Sequence, residues 1–334
     1  VAAQTKGGIH FCDQHMVAGW SNCFPAEIYV NGEHRGTAAI REIEPDPAAA
    51  AIAGARRFDF TFPVPLWLHD RVTIRLADDS VLSPGHEVSH LSRLMMLIAP
   101  LDLSRPGLEF GPLHRPTIPR GHADVFYVDH EDQESLRRRN FEDLGHAVAR
   151  IPAIDFVWAD GRTLLQTVKD RQFAWVLASH VAEHIPDLIG WLQQVDGVLE
   201  VGGRVSLALP HGERSFDSYR PVANFQDLMA AHIARLDRPS PLQVLNHLLG
   251  ESEYRRVDLK RPEHGAELVN AVVMARHAHQ GAYIDVHCNV FTPASFVQCY
   301  AMVERCGLVR LKLDAVIETD RDEFYVRLVK LGYS

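Results

Sequence analysis

The sequence predicts two halves: a small all-β, sandwich-like domain, then an α/β domain on a doubly wound, mostly parallel sheet with one antiparallel strand. Three observations carry this reading. Period-two runs broken by turn residues fill the first 85 residues. From about residue 105, apolar strand-like runs alternate with helical periodicity. The last two strand-like runs are joined by a link too short for a parallel crossover, so one of them is antiparallel.

In the first half, AEIYVNGEHRGTAAI holds two extended runs around Asn31-Gly32, a tight-hairpin signal. RFDFTFPVPLW alternates aromatic and polar residues, and DRVTIRLADDSVL is a strand with a turn at Ala77-Asp78-Asp79. His10, His15 and Trp20 read first as core or edge residues and second as a sugar-facing surface. In GHEVSHLSRLMMLIAPLD, Val88, Leu91, Met95 and Ile98 recur at helical spacing, which predicts a linker helix ending before Pro100.

In the second half GLEFG, ADVFYVD, IDFVWAD and FAWVLAS read as successive strands. DLIGWLQQVDGVL is an amphipathic helix with Leu188, Trp191, Leu192, Val195 and Leu199 on one face; Gly202-Gly203 is expected to close it before the strand RVSLALP. A mostly helical insertion occupies about 216–280. FTPASFVQCYAMVERCG starts with the cap Thr292 and with Pro293 at the first helical position, and GLVRLKLDAVIE and EFYVRLVKL end the chain as strands. The expected domains are 1–84, a linker helix over 85–104, and 105–334.

The 334 residues are 46% hydrophobic and 23% charged, an ordinary globular composition. A net charge of −9 argues against nucleic acid as partner, because phosphate contacts need a basic face. No apolar run is long enough to span a bilayer, and five cysteines without a C-x-x-C pair suit reduced thiols in the cytoplasm.

In doubly wound sheets ligands bind at the carboxyl ends of the strands. Past the five strands lie, in turn, Glu109, Gly111, Pro112 and His114; Asp129 and His130; Asp160 and Gly161; Ser179, His180, Glu183 and His184; and Pro210, His211 and Glu213. Asp129 is 18 residues beyond Gly111, where an acid can accept hydrogen bonds from both ribose hydroxyls of a nucleoside cofactor; a strand-end cap is the alternative.

These residues resemble a class I S-adenosylmethionine-dependent methyltransferase over residues 105–334. GLEFGPLHRP is similar to the first cofactor motif, YVDH to the acidic end of the second strand, and WADG to the adenine-side loop. The block ASHVAEHIPDLIGWLQQVDGVLEVGGRVSLALP resembles the strand-helix-strand that follows. With its late FTPASF, this variant looks like methyltransferases encoded among polysaccharide-assembly enzymes. The resemblance implies a Rossmann-like sheet of seven strands, the last antiparallel. It implies S-adenosylmethionine as cofactor, held by Glu109, Gly111, Pro112, His114, Asp129, His130, Asp160, Gly161, Ser179 and His180. The acceptor it implies is a sugar or glycan hydroxyl; the N-terminal half is similar to small β domains that accompany glycosyltransferases, which implies association with such enzymes. The glycine-rich turn departs from the family: one glycine remains, and Pro112, Pro116 and Pro119 forbid a long helix between the first two strands. Arg115 or backbone amides are expected to do the work of a helix N-terminus.

His180, Glu183 and His184 spell H-x-x-E-H. A zinc reading of that motif needs one continuous helix, and Pro186 forbids it, so a strand-end loop entering a helix near Asp187 is expected. No metal site is predicted; a divalent ion orienting a sugar diol is the alternative. Transfer to a hydroxyl needs a base, and His184 and His211 are the candidates, with Glu183 orienting a histidine or pairing with Arg214. Tyr219 and Arg220 are expected near the acceptor. Two rival readings stand beside the enzyme: a degenerate fold serving as scaffold or carbohydrate reader, and a glycosyltransferase using a sugar nucleotide.

Overall fold

The structure is a computed structural model that describes residues 6–41, 54–68, 70–83, 90–159, 161–250 and 262–332. The chain divides into two compact units, Val1–Ala99 and Pro100–Ser334.

Among its described residues the first unit carries eight strands: β1 (Gly7–Cys12), β2 (Met16–Ser21), β3 (Ala26–Val30), β4 (Glu33–Thr37), β5 (Ala39–Arg41), β6 (Arg56–Thr61), β7 (Val72–Leu76) and β8 (Val81–Leu82). They form two antiparallel four-stranded sheets, ordered β1-β2-β6-β5 and β4-β3-β7-β8. Alternation buries one face of each: Val17 and Phe58 from the first sheet share a core with Ala26, Ile28 and Ile74 from the second. The β3–β4 turn is Asn31-Gly32, both at positive φ (53° and 82°), which fits a type I′ hairpin. His15 and Trp20 are buried, as core residues should be. Helix α1 (His90–Ile98) also belongs to this unit. Among its described side chains Leu94, Leu97 and Ile98 are buried, while Met95 is 47% exposed. Of the expected stripe Ile98 is buried and Met95 is not; Val88 lies outside the described residues, as does the side chain of Leu91.

The second unit is built on one seven-stranded sheet. Its strands are β9 (Gly107–Phe110), β10 (Val125–Asp129), β11 (Phe156–Val157), β12 (Phe173–Ser179), β13 (Leu199–Pro210), β14 (Leu311–Ile317) and β15 (Glu323–Lys330). The order is β11-β10-β9-β12-β13-β15-β14, with β15 antiparallel to both neighbours and the other pairs parallel. The strand order reverses between β9 and β12, which opens a crevice at their carboxyl ends. Central strands are apolar on both faces, as a covered parallel sheet requires: in FAWVLAS only Ser179 is not buried.

On the way to the crevice the helices shrink. No helix joins β9 to β10, as the prolines demand. Helices α2 (Gln133–Arg139), α3 (Phe141–Leu144) and α4 (Leu164–Thr167) are short. Helix α5 (Leu188–Val198) is the main covering helix; it buries Leu188, Ile189, Trp191, Leu192, Val195 and Val198. Each such side chain contributes about 1.5–3 kcal/mol of burial. Its closure differs from expectation. The helix ends at Val198 and β13 begins at Leu199, so Gly202, at φ 82°, sits inside the strand at a register break opposite Phe173 and Trp175. The insertion after β13 holds α6 (Phe225–Ala234), α7 (Pro241–Gly250) and α8 (Pro262–His279), then an extended run to α9 (Pro293–Arg305), where Thr292 closes a capping box.

Candidate functional site

The carboxyl edge starts at β9. Glu109 is buried, and its two oxygens accept the amides of Thr117 (2.6 Å) and Ile118 (3.0 Å). A carboxylate thus folds the loop that the proline-rich sequence cannot make helical, and those two amides are already engaged. Gly111 needs its glycine: φ is 57°, and a Cβ would come within 2.8 Å of the Val181 Cγ2. Pro112 is buried behind it. His114 is half-buried, and its Nδ1 accepts no hydrogen bond. Burial first, and then Arg115 and Arg150, hold its pKa down to about 4.

Asp129 ends β10, 9% exposed. Its Oδ1 receives both the backbone amide (2.7 Å) and Nδ1 (2.7 Å) of His130. The His130 Nε2 meets Arg139 Nη1 at 2.8 Å. The tip of β10 is therefore a relay from acid to imidazole to guanidinium. Gly161 turns the loop after β11 at φ 69°; Asp160 lies outside the described residues.

At β12 the chain leaves Ser179 through His180, which adopts φ 53°, and makes a short 3₁₀ turn over Ala182–His184. Asp187 then caps α5 by accepting the Gly190 amide (2.8 Å). The H-x-x-E-H run is thus a loop and a tight turn, as Pro186 requires. The His180 Nε2 lies 2.9 Å from Glu323 Oε2 and its Nδ1 3.3 Å from Glu183 Oε1. Burial pulls this pKa down, but the two carboxylates outweigh it and push it up to about 9. Glu323 reaches this edge because β15 runs antiparallel, so its first residue lies opposite Pro210, the last of β13.

The extended run of the insertion closes the site. Glu183 carbonyl accepts the amides of Cys288 (2.6 Å) and Asn289 (3.1 Å), and Asn289 Nδ2 donates to Ile185 carbonyl (2.8 Å). Asp285 and His287, two apart and therefore on one side of an extended chain, face this turn. Asp285 Oδ1 holds His184 Nδ1 at 2.9 Å, and the His184 and His287 rings pack edge-on at 4.6 Å. Burial lowers the His184 pKa, and the Asp285 bond with the Glu183 charge reverses that to a net rise. Asp217 Oδ2 holds His287 Nδ1 at 2.6 Å, while its Oδ1 takes Arg220 Nη1, also at 2.6 Å.

The candidates thus separate. Glu183 and His184 come together with His180, and with His287, Asp285, Asp217 and Glu323, which sequence reading passed over. The D-x-H spacing of Asp285 and His287 was the available signal, masked by the absence of any strand or helix around it. His211 makes other contacts: its ring is buried, its Nδ1 accepts the Glu213 amide (3.2 Å), and its Nε2 lies 3.5 Å from Glu318. Arg214 pairs with Glu318 (2.7 Å) rather than with Glu183, because the turn after β13 points it toward the β14–β15 link. Arg220 is buried and holds the carbonyls of Asn246 and His287, while Tyr219 is 46% exposed.

No family model and no curated protein matches the chain. Solved structures resemble it at low identity. The pyocyanin biosynthetic protein PhzM is 11% identical with a TM-score of 0.33, covering 72% of this chain and 56% of that one. A protein from Rhodobacter sphaeroides described as a Zn-dependent alcohol dehydrogenase is 11% identical with a TM-score of 0.41, covering 75% and 91%. A SAM-dependent methyltransferase from Aquifex aeolicus is 9% identical with a TM-score of 0.34, covering 72% and 98%. The chain spans little more than half the length of PhzM. Likenesses of this size carry no activity across, and the Rossmann-like fold of residues 100–334 rests on the strand order and the antiparallel β15.

Proposed function

We propose that the chain is an S-adenosylmethionine-dependent methyltransferase acting on a hydroxyl, in particular of a sugar or glycan precursor. The observation that carries this is Asp129, a nearly buried acid at the tip of β10, beside the Gly111 turn and one strand from the β9–β12 switch point of a sheet ordered β11-β10-β9-β12-β13-β15-β14. The residues fit the cofactor. Asp129 accepts ribose hydroxyls through Oδ2, held in place because His130 occupies Oδ1. Gly111 lets the backbone pass close to the ligand. Arg115 offers charge where the helix N-terminus is missing.

Bound cofactor supplies a methyl group on a sulfonium, transferred in line to the acceptor oxygen. The protein's part is alignment and removal of one proton. The acceptor belongs beside β12, where Glu183, His184 and His287 converge under the insertion. Of the two histidines singled out as bases, His184 suits the role, because Asp285 fixes its Nδ1 and leaves Nε2 open. His211 serves its own turn. The sugar class rests on the resemblance of SHVAEHIPD and FTPASF to polysaccharide-associated methyltransferases, and association with glycosyltransferases rests on the similarity of the N-terminal half to small β domains that accompany them. None of the five cysteines, all among the described residues, is in a disulfide, which suits the reducing cytoplasm. No helix among the described residues is long and apolar enough to cross a membrane.

The test is calorimetric titration with S-adenosylmethionine and S-adenosylhomocysteine, repeated on Asp129→Ala. Micromolar binding that the variant loses is expected. Well-folded protein that binds neither would overturn the assignment and favour a scaffold or a sugar-nucleotide enzyme.

A further inference from the structure

Among the described residues, one group of side chains meets the geometry of a cation site: Glu183, His184 and His287, whose ligating atoms all lie within 4.8 Å of one another. We propose that these three residues bind a divalent transition-metal ion, of which Zn²⁺ is the representative.

Glu183 provides the strongest reason. Its side chain is 1% exposed, and neither carboxylate oxygen accepts a hydrogen bond. Oε1 lies at ion-pair distance from His180 Nδ1, 3.3 Å, without hydrogen-bond geometry. A buried carboxylate is costly unless it is paired or coordinates a metal. The histidines provide the second reason. Each gives its Nδ1 to a carboxylate, His184 to Asp285 at 2.9 Å and His287 to Asp217 at 2.6 Å. Each therefore keeps Nε2 as its remaining donor. Carboxylates behind ligating imidazoles fix the tautomer and raise basicity, and this is the usual outer arrangement of a metal-bound histidine. Arg220 in turn holds Asp217 from behind at 2.6 Å.

The scaffold is built to keep the group together. Glu183 and His184 follow one another in a 3₁₀ turn at the end of β12. Cys288 and Asn289, next to His287, donate their amides to Glu183 carbonyl. Two imidazoles and one carboxylate suit Zn²⁺ or Fe²⁺ over Mg²⁺, and three protein ligands leave a position for water or for an oxygen of a bound hydroxyl compound. The ion is not the H-x-x-E-H zinc of a continuous helix, because His180 is no member of the set and its place is taken by His287 from the insertion. Under the methyltransferase reading, His184 would then hold the ion rather than take the acceptor's proton, and the ion would acidify that hydroxyl in its place; the metal site itself stands without that reading.

The experiment uses the full chain, stripped with a chelator and dialysed, without any nucleoside cofactor. Zn²⁺ is titrated calorimetrically and Co²⁺ by visible absorption. One equivalent is expected to bind, with Co²⁺ bands of a four- or five-coordinate site. Glu183→Gln and His287→Ala should abolish that equivalent. Asp285→Asn, at a side chain 66% exposed and so safe for folding, should weaken it about 10–100-fold. X-ray absorption of the Zn²⁺-loaded wild type, which needs no variant, should show nitrogen and oxygen ligands with two imidazoles. No stoichiometric binding, binding unchanged in the variants, or a sulfur ligand from Cys288 would each overturn the proposal. Loss of S-adenosylmethionine binding with the metal retained would sink only the methyltransferase reading.

Discussion

Gly107 shows how tightly single residues are held in the sheet. A Cβ there would fall within 1.9 Å of the Trp175 indole, which is fully buried and tied by its Nε1 to Arg105 carbonyl at 3.0 Å. The ring lies across Gly107 and has nowhere to go. Gly107→Ala should therefore destabilise the second unit by about 1–3 kcal/mol or more, read as a lower urea midpoint without a change of slope. Glu109 illustrates a different economy. Its sequence position suggested a cofactor contact, and its two oxygens instead organise the loop at Thr117 and Ile118. A strand-end acid is visible in a sequence; which amides it finds is not, because the loop's path is set by three prolines and a buried core.

At the level of elements, α5 starts four residues after the 3₁₀ turn that carries Glu183 and His184, and its start anchors the chain leaving that turn. Its cap Asp187 accepts Gly190 amide and also meets His232 Nδ1 from α6 at 3.1 Å, so one carboxylate joins the helix start to the insertion. Asp187→Ala is expected to cost about 0.5–2 kcal/mol in chemical unfolding, as loss of an N-cap does. Asp187→Asn should recover most of it, since the amide oxygen can still cap. The apolar stripe of α5 was legible because 3.6-residue periodicity is local. The early end of α5 at Val198 was not, because the neighbouring strands decide where pairing begins.

For the whole molecule, titration should set a stability optimum. Half-buried His114 and buried His247 are held to about 4 against an ordinary 6.5, so the native state keeps them neutral. Their contribution is present above pH 6.5 and lost as pH falls toward 4. His180 is raised to about 9, so its contribution is full below 6.5 and lost as pH climbs through 9. The raised His184 acts in the same direction. Urea midpoints measured with chelator present should peak near pH 6.5 and decline on both sides. His180→Gln should flatten the alkaline side, and an unchanged alkaline decline would show that the two carboxylates do not govern that ring.

Much of this molecule was determined by sequence alone, wherever the cause is local. The Asn31-Gly32 hairpin, the helix-free path from β9 to β10, the Asp187 and Thr292 caps and the Pro186 break all follow from backbone chemistry within a few residues. The parallel sheet with one antiparallel strand followed from run lengths and one short link. The tertiary structure decided who meets whom. Asp285 and His287 lie in an irregular stretch about a hundred residues beyond His184, and Glu323 begins a strand at the far end of the chain. They reach the edge of β12 only because the insertion folds back onto the Glu183 carbonyl and β15 enters the sheet antiparallel. Side-chain periodicity reports on burial, whereas convergence of polar groups from distant segments depends on the path of the whole chain.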